Sequence, residues 1–196
     1  MKKSWIIIIV IVVIGFIAYS SVKGTYNNMI VLGEKVDKQW ADVENVYQRR
    51  ADLIPNLVAT VKGYATHEKE TLEGVINARA KATSTTIDAG NLSASSIASF
   101  QKAQDGLSSA LSKLMVVVER YPELKANQNF LELQAQLEGT ENRIAVERRK
   151  FNESAQGYNT YIKLFPKNLF ANMFGFEKKP YFEAQKGADT APKVEF

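Results

Sequence analysis

The chain has few residues that could carry out chemistry, and its single histidine is the first to consider. His67 precedes Glu68, as in the metal-binding helix of a zinc protease, but Thr71 stands where the second histidine of that helix would be. No serine stands in a Gly-x-Ser-x-Gly turn, and the chain has no cysteine to act as a nucleophile or thiolate ligand. We therefore predict no catalytic residue, no metal site and no cofactor, in a protein that is not an enzyme.

Two charged residues fall on faces where the spacing of their neighbours predicts apolar side chains. Arg50 lies in register with the apolar stripe of one predicted helix, and Glu147 lies in register with that of another. A charge on a buried face needs a partner, so we predict that Arg50 pairs with Glu147, or else with Glu141, across two antiparallel helices. The same alignment brings together Trp40 with Gly157 and Tyr64 with Leu133.

The polar residues around this predicted pair have two interpretations. The structural interpretation is an ion pair that fixes the helix register, or an Arg50 side chain that extends to solvent. The functional interpretation is a buried polar switch or a binding site. We favour the ion pair and keep, as the alternative, a small-ligand receptor or enzyme whose site lies between helices. The predicted polar network comprises Arg50, Asp52, Glu141, Arg143, Glu147 and Arg148.

Aromatic residues are dense after position 164, where six of them lie within 18 residues together with Lys167. Part of this segment has apolar side chains at helical spacing on one side: Leu169, Phe170, Met173 and Phe174. The segment is predicted either to cover the open end of a bundle as a lid or to lie in the membrane interface. Its candidate residues are Phe165, Leu169, Phe170, Met173, Phe174 and Phe176.

Apolar residues spaced three and four apart predict the helices that must position these groups. The first stripe begins at Val36, and Pro55 within it predicts a kink or a helix that restarts there. A second pattern continues this helix beyond Gly63. It ends in a Ser/Thr-rich loop at 83–99, which has too few large apolar residues to pack.

Two further helices complete the pattern. One covers 100–118 and is ended by Pro122, and the other covers about 125–164. No stretch shows the alternation typical of a strand. Short connections between long amphipathic helices therefore favour an all-α fold, an antiparallel up-and-down bundle over 24–182, followed by a disordered tail at 183–196.

Residues 1–23 are predicted to form a transmembrane anchor. Every residue from Trp5 to Val22 is apolar, aromatic or small, and a helix of that length spans about 27 Å, close to the hydrocarbon thickness of a bilayer. A cleaved signal peptide is the alternative, because Ala18 and Ser20 form a small-residue cleavage pattern, but the apolar run is longer than is usual for one. Lysines that are denser before the span than after it favour a cytoplasmic N-terminus and an extracytoplasmic bundle.

The charge distribution excludes one class of partner. The chain has 25 basic and 21 acidic residues, and three lysines but no acidic residue lie in the first 23 positions. The rest of the chain is therefore almost neutral. Such a domain lacks the concentrated positive field that binding to nucleic acid requires.

Several motifs, in this order along the chain, carry a resemblance to a known family. They are QRRADLIPNLV at 48–58, VKGYA at 61–65, HE at 67–68, ENRI at 141–144, ER at 147–148, YN at 158–159, FP at 165–166 and FGF at 174–176. With these motifs the chain resembles the LemA family of bacterial membrane proteins over nearly its whole length. The resemblance implies a single-pass protein with a helical-bundle domain and a biochemical role that is not established.

The sequence and the resemblance together predict a membrane-anchored scaffold or interaction protein of the bacterial envelope, located in the inner membrane. The bilayer is its first expected partner, and further copies of the chain are the second. Some family members are thought of in connection with a membrane-embedded zinc protease and envelope stress. An adaptor or regulator of such a protease is therefore the alternative function.

Overall fold

The structure, a computed structural model, describes residues 3–183 of the chain. Within them the chain forms α-helices and a single 3₁₀ turn, with no strand, which confirms the predicted all-α fold. Apart from Glu183, the tail predicted to be disordered lies outside the described residues. The helices are α1 (Lys3–Tyr64), α2 (Lys69–Ser84), α3 (Ala94–Val118), α4 (Pro122–Lys125), α5 (Gln128–Lys163) and α6 (Lys167–Phe174).

The long helices form an antiparallel up-and-down bundle, as predicted. Helix α1 packs mainly against α5 and α2, and α2 packs against α3. Polar contacts give the directions. The side chain of Gln104 on α3 bonds the end of α2 at Ala82, whereas Tyr121 beyond the other end of α3 bonds Glu68 before the start of α2. Successive long helices therefore alternate in direction, which suits their short connections.

Helix α1 belongs to two environments. Its side chains from Trp5 to Tyr19 are exposed on every side of the helix, whereas Met29, Val36 and Trp40 are fully buried in the bundle. In the described residues it is the one helix that is long and apolar enough to cross a membrane. The helix has no break between these two parts.

Pro55 lies inside α1 without ending it, so the restart considered from the sequence does not occur. Proline has no N–H to donate to the carbonyl four residues earlier, which here is Ala51. Nε of Arg79, from α2, donates a hydrogen bond to that carbonyl oxygen at 2.7 Å. The neighbouring helix thus supplies the donor that proline lacks.

The helix boundaries differ from the predicted ones where short polar residues act as caps. The predicted loop at 83–99 is shorter, since α2 continues to Ser84 and α3 begins at Ala94. Ser93 and Ser96 form a reciprocal capping box, with bonds of 3.1 and 3.0 Å between each side chain and the other's N–H. The serines that suggested a loop are therefore the start of a helix.

Three further boundaries also differ from the predicted ones. Helix α1 ends at Tyr64, and α2 starts as a separate helix at Lys69 rather than as its continuation. Pro122 opens the single turn of α4, where proline is favoured in the first turn. Helix α5 starts at Gln128, where the Asn127 side chain accepts a bond from the N–H of Phe130 at 3.0 Å.

The core of the bundle has two apolar clusters along its length. One cluster includes Trp40, Phe100 and Phe151 and lies toward the apolar end of α1. The other includes Ile54 and Leu107 and lies toward the far end. The level between them is where the structure places Arg50.

Candidate functional site

Arg50 is buried at the boundary between the two apolar clusters, with only 2% of its surface exposed. Its Nη1 donates to a Glu141 carboxylate oxygen at 2.8 Å and to the Ser108 hydroxyl at 3.1 Å. Its Nη2 donates to the side-chain oxygen of Gln104 at 2.6 Å. We call these four residues the Arg50 cluster. They come from α1, α3 and α5.

Gln104 extends the Arg50 cluster to the fourth helix of the bundle. Its side chain is buried, and its amide nitrogen donates to the carbonyl of Ala82 near the end of α2 at 3.3 Å. The Arg50 side chain also lies over the Tyr47 ring, with 5.1 Å from Cζ to the ring centroid. One arginine therefore connects all four long helices by direct or relayed hydrogen bonds.

The electrostatics of the Arg50 cluster are those of a structural ion pair. Glu141 has 56% of its side chain exposed, so the carboxylate stays hydrated while the guanidinium is desolvated. Burial raises the pKa of the nearby Tyr47 phenol, and the charges of Arg148 and Arg50 oppose that rise. The phenol of Tyr47 therefore stays neutral near pH 7.

Of the two acidic residues predicted as partners of Arg50, the structure confirms Glu141, the second choice, and not Glu147. Glu147 instead accepts bonds from Gln39 at 2.9 Å and from Lys150 at 2.8 Å. Four contacting pairs between α1 and α5 or its N-cap residue have residue numbers that add to 191, and Gln39 with Glu147 adds to 186. The four are Gly33 with Tyr158, Trp40 with Phe151, Arg50 with Glu141 and Tyr64 with Asn127. The predicted pairing adds to 197, so the helices are displaced by six residues, or about 9 Å, from the predicted register.

The other members of the predicted polar network lie apart from Arg50. Asp52 accepts a bond from Gln48 at 2.8 Å on the exposed side of α1, and Arg143 is exposed on α5. Arg148 donates to the backbone oxygen of Glu183 at 2.9 Å. The six residues therefore do not form one network, and among them the structure pairs Arg50 with Glu141.

His67 and Glu68, the pair with the zinc-protease spacing, are engaged in local structure. His67 is exposed in the turn between α1 and α2. Glu68 accepts a bond from the Tyr121 hydroxyl at 3.1 Å and forms an ion pair with Arg120 at 3.0 Å. No group of three metal-ligating side chains stands together in residues 3–183.

Helix α6 divides the predicted aromatic segment between two surfaces. Ala171 is buried, and Phe170 and Phe176 pack against the apolar cluster around Trp40. On the opposite side, Phe165 is 81% exposed and Met173 is 64% exposed. The four residues predicted to share one side are therefore split, and the segment has the geometry of a lid on one face and of an interfacial surface on the other.

Tyr26 fixes the level of this segment along α1. The Tyr26 ring stands edge to face with Phe174 at 5.1 Å and with Phe176 at 5.5 Å between centroids. Tyr26 follows Tyr19, at the end of the exposed apolar part of α1, by seven residues, or about 10 Å. The segment thus lies at the end of the bundle that adjoins this part of α1.

After α6 the chain forms a feature that was not predicted. Gly175 adopts a left-handed conformation with φ +74°, which favours glycine, and ends the helix. Residues 176–183, which we call the strap, then run without helix along the bundle. Two asparagines of α5, Asn152 and Asn159, bond the strap backbone.

Four of the residues whose contacts were not predicted from the sequence nevertheless carried a signal in it. Gln104 lies four residues after Phe100 and three before Leu107, so it is a polar residue on an apolar stripe in the same way as Arg50. Asn152 and Asn159 each follow a buried aromatic residue of α5, seven positions apart. Arg79 carried the same signal, since it lies four residues after Val75 and three before Ala82, but its acceptor is a backbone oxygen, which no side-chain pattern reveals.

Several known proteins are similar to this chain. The model of the LemA family matches residues 39–196. Magnetosome protein MamQ 2 of Paramagnetospirillum magneticum is 27% identical over 205 residues, covering 94% of this chain and 73% of the relative. Magnetosome protein MamQ of Magnetospirillum gryphiswaldense is 27% identical over 184 residues, covering 84% and 67%. Protein LemA of Metamycoplasma hominis is 23% identical over 185 residues, covering 94% and 80%.

Proposed function

The chain belongs to the LemA family, and on that basis we propose that it is a membrane-anchored scaffold of the bacterial envelope. In this proposal it crosses the inner membrane once, with its N-terminus in the cytoplasm and its bundle outside. The bundle offers long helical surfaces to protein partners and turns over no substrate. The buried charges support this non-enzymatic role because they are engaged in holding helices together.

The observation that carries the proposal is the continuity of α1. The helix runs from the exposed apolar residues around Trp5 to Tyr64 at the far end of the bundle without an intervening linker. An uninterrupted helix transmits orientation, whereas a flexible linker does not. The bundle therefore has a fixed direction and height relative to the bilayer, which is what a scaffold requires.

Helix α6 supports a second contact with the membrane. Its outward face presents Leu169 and Met173, and Phe165 and Leu164 before it are also exposed. Lys167 lies over the Tyr161 ring at 3.8 Å from Nζ to the centroid, at the same end of the bundle. Apolar and aromatic side chains beside a lysine suit the boundary between headgroups and acyl chains. We therefore propose that α6 lies on the lipid surface beside the anchor.

Site-specific photo-crosslinking in living bacteria tests the scaffold role. A photoreactive amino acid replaces one exposed apolar residue on each of three helices, Ile76 on α2, Val116 on α3 and Val146 on α5. Val13, in the anchor, serves as the control that contacts lipid. The proposal predicts discrete protein adducts from at least one bundle site, and their mass distinguishes a second copy from another protein. The absence of protein adducts at all three bundle sites would contradict it.

A further inference from the structure

The strap is held to α5 by hydrogen bonds to its backbone in addition to the contacts of its side chains. The Asn159 amide donates to the carbonyl of Lys179 at 2.8 Å, and its oxygen accepts from the N–H of the same residue at 2.8 Å. Asn152 makes the same pair of bonds with Phe182, at 3.0 and 2.9 Å. Each asparagine thus satisfies both backbone groups of one strap residue, whatever side chain that residue carries.

The spacing of the two asparagines matches an extended peptide. Seven residues of an α-helix rise about 10.5 Å, and three residues of an extended chain cover about 10 Å. Asn152 and Asn159 are seven apart on α5, while their strap partners Phe182 and Lys179 are three apart. The helix therefore presents two amide clamps at the repeat of an extended peptide that runs antiparallel to it.

Two pockets add a preference for particular side chains. The Phe182 ring stacks on Trp40 at 5.9 Å and meets Phe151 edge to face at 5.4 Å between centroids, and Arg148 covers it at 4.8 Å. The Lys179 ammonium pairs with Asp37 at 2.8 Å, and both side chains are mostly buried. The groove therefore selects a basic residue followed three positions later by an aromatic one.

The strap runs along the outside of the long helices and begins directly after Gly175, which can act as a hinge. An open groove of about 640 Å³ runs beside it, lined by residues that include Arg148, Asn152, Tyr181 and Phe182. Glu177 and Lys178 of the strap are exposed. Gly175, which has no side chain to restrict its φ, precedes the strap directly. The strap can thus leave its groove without the separation of any two long helices.

We propose that this groove is a peptide-binding site that the strap occupies in cis. Its ligand in trans is an extended segment of a partner protein with a lysine or arginine three residues before a phenylalanine, and the strap competes with it. Asp37 supplies the charge complementarity, the Trp40 and Phe151 rings supply the aromatic pocket, and the two asparagines hold the backbone. The inference rests on the proposed scaffold function and names the chemistry of one partner surface.

Binding of a synthetic peptide to the purified full chain in detergent micelles tests the groove. The probe is a fluorescein-labelled peptide of strap sequence, FEKKPYFE, followed by fluorescence anisotropy. Lys179→Glu weakens the strap and leaves the groove residues unchanged. The apparent dissociation constant equals the intrinsic constant divided by the fraction of chains whose groove is open. Because Lys179→Glu raises that fraction, we expect the peptide to bind this variant at least about tenfold more tightly than the wild-type chain.

Three controls distinguish specific recognition of the peptide from nonspecific binding. Adding Asn152→Ala to Lys179→Glu should reduce peptide binding to the wild-type level, and a peptide with alanine in place of its last phenylalanine should not bind. Phe182→Ala is a second release variant, used with circular dichroism to verify that the helices persist. No binding by either release variant, or binding that is unchanged by Asn152→Ala, would overturn the proposal.

The source of the ligand is tested in the same preparation. A wild-type dimer that dissociates when the peptide is added would show that copies exchange their straps, and would overturn the assignment to a partner protein. A monomer that shows the predicted peptide binding supports that assignment. Failure of the groove does not affect the crosslinks expected from Ile76, Val116 and Val146, so it is distinguishable from failure of the scaffold proposal.

Discussion

The hydrogen bond from Arg79 to the Ala51 carbonyl gives the sharpest prediction about stability. Pro55 removes the N–H that would normally bond this oxygen, and Arg79 Nε replaces it at 2.7 Å. Ala51 is buried, so water cannot reach its carbonyl oxygen to replace the guanidinium as the hydrogen-bond donor. Arg79→Met removes the donor while retaining most of the apolar part of the side chain.

The expected loss follows from the nature of the bond. A hydrogen bond from a charged group contributes about 1.5–3 kcal/mol, and a buried carbonyl left without a donor costs about 1–3 kcal/mol. Arg79 is half-buried, so we expect Arg79→Met to lower the free energy of unfolding by about 2 kcal/mol. In a Pro55→Ala background the restored N–H of residue 55 bonds Ala51, and the same change should cost under about 1 kcal/mol.

A double-mutant cycle measured by urea unfolding of the full chain in detergent micelles checks this reasoning. Fluorescence of Trp40, which is fully buried in the bundle, follows unfolding, with Trp5→Phe in all variants to remove the other tryptophan. Arg149→Met is the matched control, because Arg149 lies in an exposed pair with Glu153 and its replacement should change stability by under about 1 kcal/mol. Equal losses from Arg79→Met in the two backgrounds would refute the role of Arg79 as the replacement donor.

Three further predictions concern the Arg50 cluster, the half-buried Glu44 and the glycine that precedes the strap. Arg50→Ala should destabilise the bundle by about 3 kcal/mol because it leaves buried polar groups unpaired, whereas Glu141→Gln should cost about 1 kcal/mol because Glu141 is hydrated; urea unfolding compares the two. Burial raises the pKa of Glu44, so its ionisation opposes folding above the unfolded-state pKa. Glu44→Gln should therefore raise the melting temperature at pH 7 but not at pH 3. Glu123→Gln, at an exposed position, should not raise it at either pH. Gly175→Ala should cost about 1 kcal/mol because alanine disfavours φ +74°, and thermal unfolding measures that loss.

Periodicity predicted the long helices because each has one face that must be buried, and Trp40, Ile54, Leu107 and Phe151 all lie in the core as their spacing required. Periodicity could not determine the register between α1 and α5. An apolar stripe nearly repeats every two helical turns, so a displacement of a few residues still brings two stripes together. That register decides between Glu141 and Glu147 as the partner of Arg50, and no pattern within one helix shows it.

The four residues of α6 predicted to share one face do not do so, because helical periodicity assigns faces poorly in a helix of eight residues. At 100° per residue, Leu169 and Met173 lie 40° apart, while Phe170 and Phe174 lie 100° and 140° from Leu169. A stripe that wide can serve two surfaces. In the structure the bundle takes Phe170 and leaves Leu169 and Met173 exposed. The strap could not be predicted from periodicity, because an extended segment held by its backbone has no repeating side-chain pattern.

Fluorescence quenching by brominated lipids tests whether α1 and α6 together hold the bundle at the bilayer. Two chains are compared in liposomes, Met173→Trp on α6 and Val116→Trp on α3, each with Trp5→Phe; both positions are well exposed, at 64% and 70%. We expect strong quenching and a blue-shifted emission for the tryptophan at position 173, and neither for that at position 116. Equal and weak quenching at the two positions would show that α6 does not contact lipid, contrary to the proposed orientation of the bundle.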